Sequence, residues 1–488
     1  MESIDALADA CLLPPFVGTT APEWVLRRLA GGMRGVTLFG RNVESRQQLA
    51  ALTAQLRAAR ADVLIAIDEE GGDVTRLEYH VGSSYPGNYA LGVIDDVDLT
   101  RAVAGSIGAD LALVGINFDL APVADVNSNP LNPSIGVRSF GADPALVARH
   151  VAAYVEGLQT HGVIACAKHF PGHGDTSVDS HLGLPTVTAG RDELDRVALL
   201  PFRAAIAAGV QSIMTAHIVM TAFGDEPATI SSAVLTGLLR DELGYDGLVI
   251  TDAVDMAAVA DAYGTPGAAV RALIAGADAI CVGGGDTGEE IVTEIRDAIV
   301  AAVRDGSLPA ERLEEAVRRI DRAAAWAKPT DAVPAGDIGL TAARRAVAVS
   351  GAAVSDQPLS GPALVAEIRP VANIAVGTVP WGMGVVLTAR DPGTSVVTLS
   401  EDETDVDALL ELATGRPVVL VFRDLARHPW AQTLADAVVA ARPDAICVDM
   451  GWPGALPAGA RVVIAAHGGG RVNGLAVAEL LLPPLVAS

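Results

Sequence analysis

Short apolar runs alternate with longer stretches of helical spacing along the first two thirds of the chain. The runs are Gly35–Phe39, Val63–Asp68, Ile116–Leu120, Gly162–Lys168, Ser212–Ala216, Gly247–Asp252 and Ala279–Val282. Near-continuous Val, Ile and Leu predicts strands buried on both faces, the mark of a parallel sheet. Between them, Pro144–Thr160 and Leu194–Ala208 place apolar residues at helical spacing. The first of these has a good start, because Asp143 can cap it and Pro144 suits a first helical position. Seven or eight such units in about 320 residues fit a (β/α)8 barrel. An open doubly wound sheet is the alternative.

The residues that follow the runs favour the barrel. One run ends in Asp68, another in Lys168 and His169, a third in His217 and a fourth in Asp252. In a parallel barrel the C-terminal strand ends converge on one face, where active sites are built. Charged residues can mark a strand exit without any function. Four exits carrying such mixed chemistry point instead to a shared site.

Residues 329–340 are rich in Pro, Gly and Asp and read as a linker. The division is a catalytic barrel over 1–328 and a smaller open α/β sandwich domain over 341–488. In the latter, strands are predicted at Ala363–Ile368, Val385–Thr388, Ser395–Leu399, Pro417–Phe422, Ala445–Val448 and Arg461–Ala466. Helices are predicted at Val406–Ala413 and Ala431–Ala441.

Composition narrows the partners. The chain has 488 residues, with 34 Lys and Arg against 59 Asp and Glu, a formal charge of −25. That balance argues against nucleic acid or an anionic membrane surface as partner. No long apolar stretch predicts a membrane span. The four cysteines are far apart in sequence, with no CxxC pair, and read as reduced buried thiols of a cytoplasmic protein. The N-terminal residues lack the basic and apolar regions of a secretory signal.

Several chemistries can be set aside. His169 and His173 have the i, i+4 spacing of helical metal ligands, but Pro171 and Gly172 lie between them and the segment reads as loop. No metal is expected. Gly283–Gly288 (GGGDTG) matches a dinucleotide-binding pattern, but a turn follows its helix where an acid-tipped strand should be. It reads as a glycine-rich loop after a barrel strand. No G-x-S-x-G elbow is present.

Acid–base chemistry with a carboxylate remains. Asp179 precedes His181 by two residues, and in an extended loop such positions face the same way. Asp179 can orient the imidazole and stabilise its protonated form. Asp252, on a different strand, supplies a separate anion. A proton shuttle plus an independent carboxylate suits glycosyl transfer. A pair that merely ties down the loop is the plainer alternative.

The stretch KHFPGHGDTSVDSHLGLP (168–185) resembles the signature of family 3 glycoside hydrolases, in the branch of β-N-acetylglucosaminidases. IDEEGGDVTRL (67–77), APVADVN (121–127), GVRSFG (136–141), MTAHIV (214–219), PATISS (227–232) and GLVITDAVDM (247–256) follow in the family's order. The resemblance runs from about residue 12 to 330, and the last domain is similar to the extra α/β domain of longer members.

The resemblance implies a barrel, a retaining mechanism, Asp252 as nucleophile, and Asp179 with His181 as the proton-transferring dyad. It implies Asp68, Arg76, Arg138, Lys168 and His169 as ligands of sugar hydroxyls, with His173 and Asp175 shaping the loop. It implies no cofactor, with phosphate as a possible co-substrate. Two departures stand out. Many members have Arg at the place of Asp73. Many have Ser-Asp-Asp-Leu-Ser-Met where this chain has Thr251–Met256, which makes Asp255 a competitor for the nucleophile's role.

The expected function is exo-acting hydrolysis of terminal N-acetylglucosamine from glycans or cell-wall fragments through a covalent intermediate. The alternatives are phosphorolysis of the same substrates, assistance by the substrate's own acetamido group beside Asp68 and Glu69, and a sugar-binding protein without turnover.

Overall fold

The computed structural model describes residues 3–482 apart from 284, 286, 287, 332, 352–358, 360, 373 and 403. The GGGDTG loop, the linker and the last domain therefore each lie in part outside the described residues. By its contacts the chain forms two units. The first comprises Met1–Glu70, Val97–Ile135 and Gly141–Ala335; the second comprises Gly71–Asp96, Gly136–Phe140 and Gly336–Ser488. Two stretches that the sequence division placed with the barrel, 71–96 and 136–140, thus group with the second unit.

The first unit is built on eight parallel strands: β1 (Leu12–Leu13), β2 (Gly35–Leu38), β3 (Leu64–Ile67), β4 (Phe118–Asp119), β5 (Ile164–Phe170), β6 (Ser212–Thr215), β7 (Leu248–Ile250) and β8 (Ile280–Cys281). Strands β2 to β7 form one sheet in sequence order. Closure comes at two seams. Ile250 bridges in parallel to Ala279, and β8 pairs with β1 through Leu12↔Ile280 and Leu13↔Cys281. On the other side, Thr37 donates its amide to the Pro14 carbonyl at 3.1 Å and its hydroxyl to that of Leu13 at 3.2 Å. The result is a barrel, as the pattern of apolar runs implied. Strand β1 is two residues long and gives no signal of its own.

Helical expectations hold where capping was written. The helix Pro144–Gln159 starts under Asp143, whose carboxylate accepts from the amides of Ala145 and Leu146 at 2.7 and 3.3 Å. The expected single helix Leu194–Ala208 is instead two, Arg191–Arg196 and Leu200–Ala207, the second beginning around Pro201. Proline suits a helix start and disrupts an interior.

The second unit carries a six-stranded sheet of β9 (Ala348–Gly351), β10 (Leu364–Ile368), β11 (Ser395–Leu399), β12 (Val418–Phe422), β13 (Ile446–Asp449) and β14 (Val462–Ala465). The order is β9-β14-β13-β12-β10-β11, with only β9 antiparallel. Alternate residues feed two cores. Leu364, Ala366, Leu420 and Phe422 pack with helices Val406–Leu412 and Pro429–Ala441 on one face. Val365, Val419, Val421 and Val448 pack with Gly384–Arg390 and Arg471–Leu481 on the other. This is an α/β sandwich.

Val385–Thr388, expected as a strand, lies in the helix Gly384–Arg390. The Gly384 amide donates to Glu367 Oε1 at 2.7 Å at its start. Val386 and Leu387 turn to the core while Val385 stays exposed, a helical rather than an alternating pattern.

Candidate active site

The polar strand ends of the first unit do gather. Lys168, at the end of β5, places its Nζ 2.7 Å from both Asp68 Oδ1 and Glu70 Oε1. The lysine is buried, so its charge depends on this pairing. Asp68 is thereby engaged by a cation that fixes its direction. The ladder between β5 and β6 shifts register between Ala167 and Phe170, where Lys168 and His169 lie.

Asp125 is the hub next to it, and sequence reasoning assigned it no role. It follows β4 in the APVADVN stretch and is fully buried. Its Oδ2 accepts from Nδ1 of His169 at 2.7 Å, and its Oδ1 from the amides of His169 (3.3 Å) and His173 (2.6 Å). One carboxylate therefore fixes both the ring orientation of His169 and the start of the following loop.

His173 carries that order further. Its Nδ1 meets the Thr176 hydroxyl at 2.7 Å and its Nε2 the Ser180 hydroxyl at 3.2 Å. Burial pushes its pKa down to about 4, so the ring is neutral and serves as a connector. Ser180 stands between Asp179 and His181. Both histidine rings of the i, i+4 pair are thus committed to protein groups.

Asp179 and His181 form the expected pair. Asp179 Oδ1 accepts from His181 Nδ1 at 2.8 Å and from the His181 amide at 2.9 Å. Burial would raise the carboxyl, but the hydrogen bonds and charge of His181 outweigh it and bring Asp179 to about 2. Asp179 is ionised at neutral pH and can stabilise an imidazolium.

Asp252 follows β7 and is held by the Ala253 amide, which donates to its Oδ1 at 2.8 Å. Burial pushes its carboxyl up; the imidazoles of His169, His217 and His181 and the Ala253 amide pull it below the ordinary value. Asp252 and His181 thus act within one electrostatic field. His217 is locked between Thr229 Oγ1 and the Ala253 carbonyl, each at 2.8 Å, and burial lowers its pKa. It braces the backbone of the Asp252 turn. Its place after β6 was visible in the sequence, its role was not. Asp255 accepts from the Gly283 amide at 2.6 Å.

Not every expected sugar ligand belongs to this unit. Arg76 and Arg138 are in the second unit. Arg76 donates to the carbonyls of Ala375 (2.7 Å) and Val376 (3.2 Å), and the Arg138 carbonyl accepts from Asn88 Nδ2 at 2.7 Å. The second unit also explains the departure at Asp73. Its carboxylate pairs with Arg423 and accepts from the Gly469 amide at 2.6 Å. Asp73 is a structural anion inside the His467–Arg471 glycine-rich turn. Among the described residues no group of three or more His, Cys, Asp or Glu is placed to hold a metal, and no helix is long and apolar enough to cross a membrane.

Comparison with known proteins adds a family. Residues 17–323 match the model described as the glycosyl hydrolase family 3 N terminal domain. The chain is 42% identical over 297 residues to β-hexosaminidase A of Pseudoalteromonas piscicida, covering 56% of this chain and 48% of that protein. It is 38% identical over 255 residues to a β-hexosaminidase of Stenotrophomonas maltophilia, covering 51% of this chain and 75% of that one. The match thus spans about half the length of the first relative. Among solved structures, the chain is similar to a glycoside hydrolase family 3 β-N-acetylglucosaminidase from Paenibacillus sp., at 35% identity and a TM-score of 0.88, covering 99% of this chain and 97% of that one.

Proposed function

The chain belongs to glycosyl hydrolase family 3, and from that premise we propose that it is a retaining, exo-acting β-N-acetylglucosaminidase. Its substrates would be glycans or cell-wall fragments ending in N-acetylglucosamine. The observation that carries the reading is the pairing of Asp179 with His181 inside the field of an ionised Asp252. A proton donor and a separate nucleophilic carboxylate are what a two-step glycosyl transfer needs.

In the first step an Asp252 oxygen attacks the anomeric carbon. The bond from that carbon to the leaving oxygen breaks, and the leaving oxygen takes a proton from Nε2 of the His181 imidazolium. In the second step water attacks the same carbon, gives its proton to the now neutral His181, and releases Asp252. Asp179 keeps the ring in the tautomer that directs Nε2 to the reaction and stabilises its charged form. Asp68, Lys168 and His169, held as described, would hydrogen-bond sugar hydroxyls.

The names of the two hexosaminidase relatives and of the similar structure support the N-acetylglucosaminide specificity. The four cysteines are free and buried, which suits a reducing compartment such as the cytoplasm. The test is product analysis on a panel of aryl and oligosaccharide N-acetylglucosaminides. Release of terminal N-acetylglucosamine supports the reading; binding without turnover overturns it.

A further inference from the structure

A cavity of about 300 Å³ opens beside the catalytic loop of the first unit. It is at the lower end of the size range of small-ligand sites. Three of its lining residues belong to the scaffold already described. Gly172 and Gly174 flank His173, and Val126 follows Asp125. The cavity therefore backs onto the segment that Asp125 and His173 hold in register with the dyad.

Part of its lining is apolar: Val187, Leu194 and Met220 are buried lining residues. Two exposed lining residues, Asp175 and Glu193, are carboxylates. Asp175 Oδ1 accepts from the Ser128 hydroxyl at 3.3 Å. Neither is in an ion pair among the described residues, although this chain pairs many of its acids with arginine. A chamber with buried apolar residues in its lining and two exposed lining carboxylates outside any ion pair among the described residues suits a ligand with an apolar body and a cationic end.

We propose that this cavity is a binding site for an alkylammonium group, a short alkyl chain ending in a primary amine, with its carbon chain against Val187, Leu194 and Met220 and its ammonium between Asp175 and Glu193. A ligand there leans on the Gly172–Gly174 wall, so its occupation is coupled to the dyad loop through His173. The coupling rests on the catalytic reading above; the binding does not.

The test is isothermal titration of the full chain with n-hexylammonium, hexanol and hexanoate. Hexylammonium should bind saturably at one site. Hexanol should bind on the order of tenfold more weakly, since it forfeits the charge interaction, and hexanoate should not bind. Glu193→Gln should weaken hexylammonium on the order of tenfold while leaving basal turnover unchanged. Ala189→Leu, which narrows the lining, should abolish binding. Absence of saturable hexylammonium binding, equal binding of hexanol, or wild-type affinity in Glu193→Gln overturns the site. If Ala189→Leu does not fold, Glu193→Gln decides alone. For the coupling, saturating hexylammonium should change kcat on a poor-leaving-group glycoside in the wild type and not in Glu193→Gln at the same concentration. Binding with unchanged kcat overturns the coupling and leaves the site standing.

Discussion

A single oxygen of Asp179, Oδ1, accepts both the ring Nδ1–H and the backbone N–H of His181, at 2.8 and 2.9 Å. The two bonds fix the ring relative to its own backbone and fix which nitrogen carries the inner proton. In the proposed mechanism, proton exchange with a substrate would then fall to Nε2, and the carboxylate would add charge stabilisation without itself entering the reaction.

Asp179→Asn and His181→Ala should therefore fail alike. On glycosides with poor leaving groups each should lower kcat/KM by on the order of 10²–10⁴, and the double variant should add little. Activated aryl glycosides, which need less protonation, should lose much less. Steady-state kinetics on both substrate types checks this. Equal losses on both would remove His181 from the role of acid.

The choice between Asp252 and Asp255 can be read by covalent trapping. Asp255 is tied to the Gly283 amide at 2.6 Å, while Asp252 lies in the field of three imidazoles. A slow 2-fluoro or 5-fluoro N-acetylglucosaminyl substrate should leave its label on Asp252. Peptide mapping that finds it on Asp255 assigns the nucleophile there instead.

The strand ends were legible because two signals coincide at each: an apolar run long enough for a buried strand, and an abrupt polar residue. Asp68, Lys168, His169, His217 and Asp252 all follow that rule. Asp125 does not stand out, because its strand, Phe118–Asp119, is two residues long and the acid comes six residues after its end. The Asp73–Arg423 pair spans 350 positions and leaves no local trace in either segment. Asp73 alone reads only as a departure from the family's pattern. The short helix at Val385 was misread because three apolar residues in a row, Val385–Leu387, fit either period.

His173 should give the fold a pH dependence. Its folded value is about 4, below the ordinary 6.5, because burial disfavours the charged ring. Between those values the unfolded chain binds the proton and the folded one does not. Stability from the neutral ring is complete above about pH 6.5 and is lost as pH falls toward 4, on the order of 3 kcal/mol at most. His173→Gln keeps an amide donor and acceptor but cannot titrate. Urea unfolding at pH 7 and 4.5 should show a smaller pH difference for the variant; an unchanged difference would assign the effect to other groups.

The Asp73–Arg423 pair, whose carboxylate is buried and whose guanidinium is partly so, should matter to stability rather than to chemistry. Burial opposes the guanidinium's charge, yet Asp73 and Asp424 outweigh it and hold Arg423 above its ordinary pKa. Asp73→Ala leaves that cation without one partner and opens the Gly469 amide. The expected cost is about 3–5 kcal/mol, the range for breaking one side of a buried pair. Denaturant unfolding measures it. A loss below about 1 kcal/mol would mean that Asp424 alone satisfies Arg423.

The last question is the acceptor. Most glycosidases protonate the leaving group with a carboxylic acid, which then stands as an anion beside the intermediate. In the proposed site the donor is an imidazole, which is neutral once its proton has gone. An anionic acceptor meets one negative charge fewer at that moment. At about 4 Å the difference is worth up to about 4 kcal/mol near a surface, before screening. Hydrolysis is the main activity proposed above, and on this argument phosphate should compete with water. With millimolar phosphate, turnover should rise and N-acetylglucosamine 1-phosphate should appear among the products. His181→Glu, which restores a carboxylate, should keep hydrolysis in preference to phosphorolysis. If phosphate neither speeds turnover nor enters product, water is the sole acceptor. If His181→Glu keeps its use of phosphate, the charge of the donor is not what admits the anion.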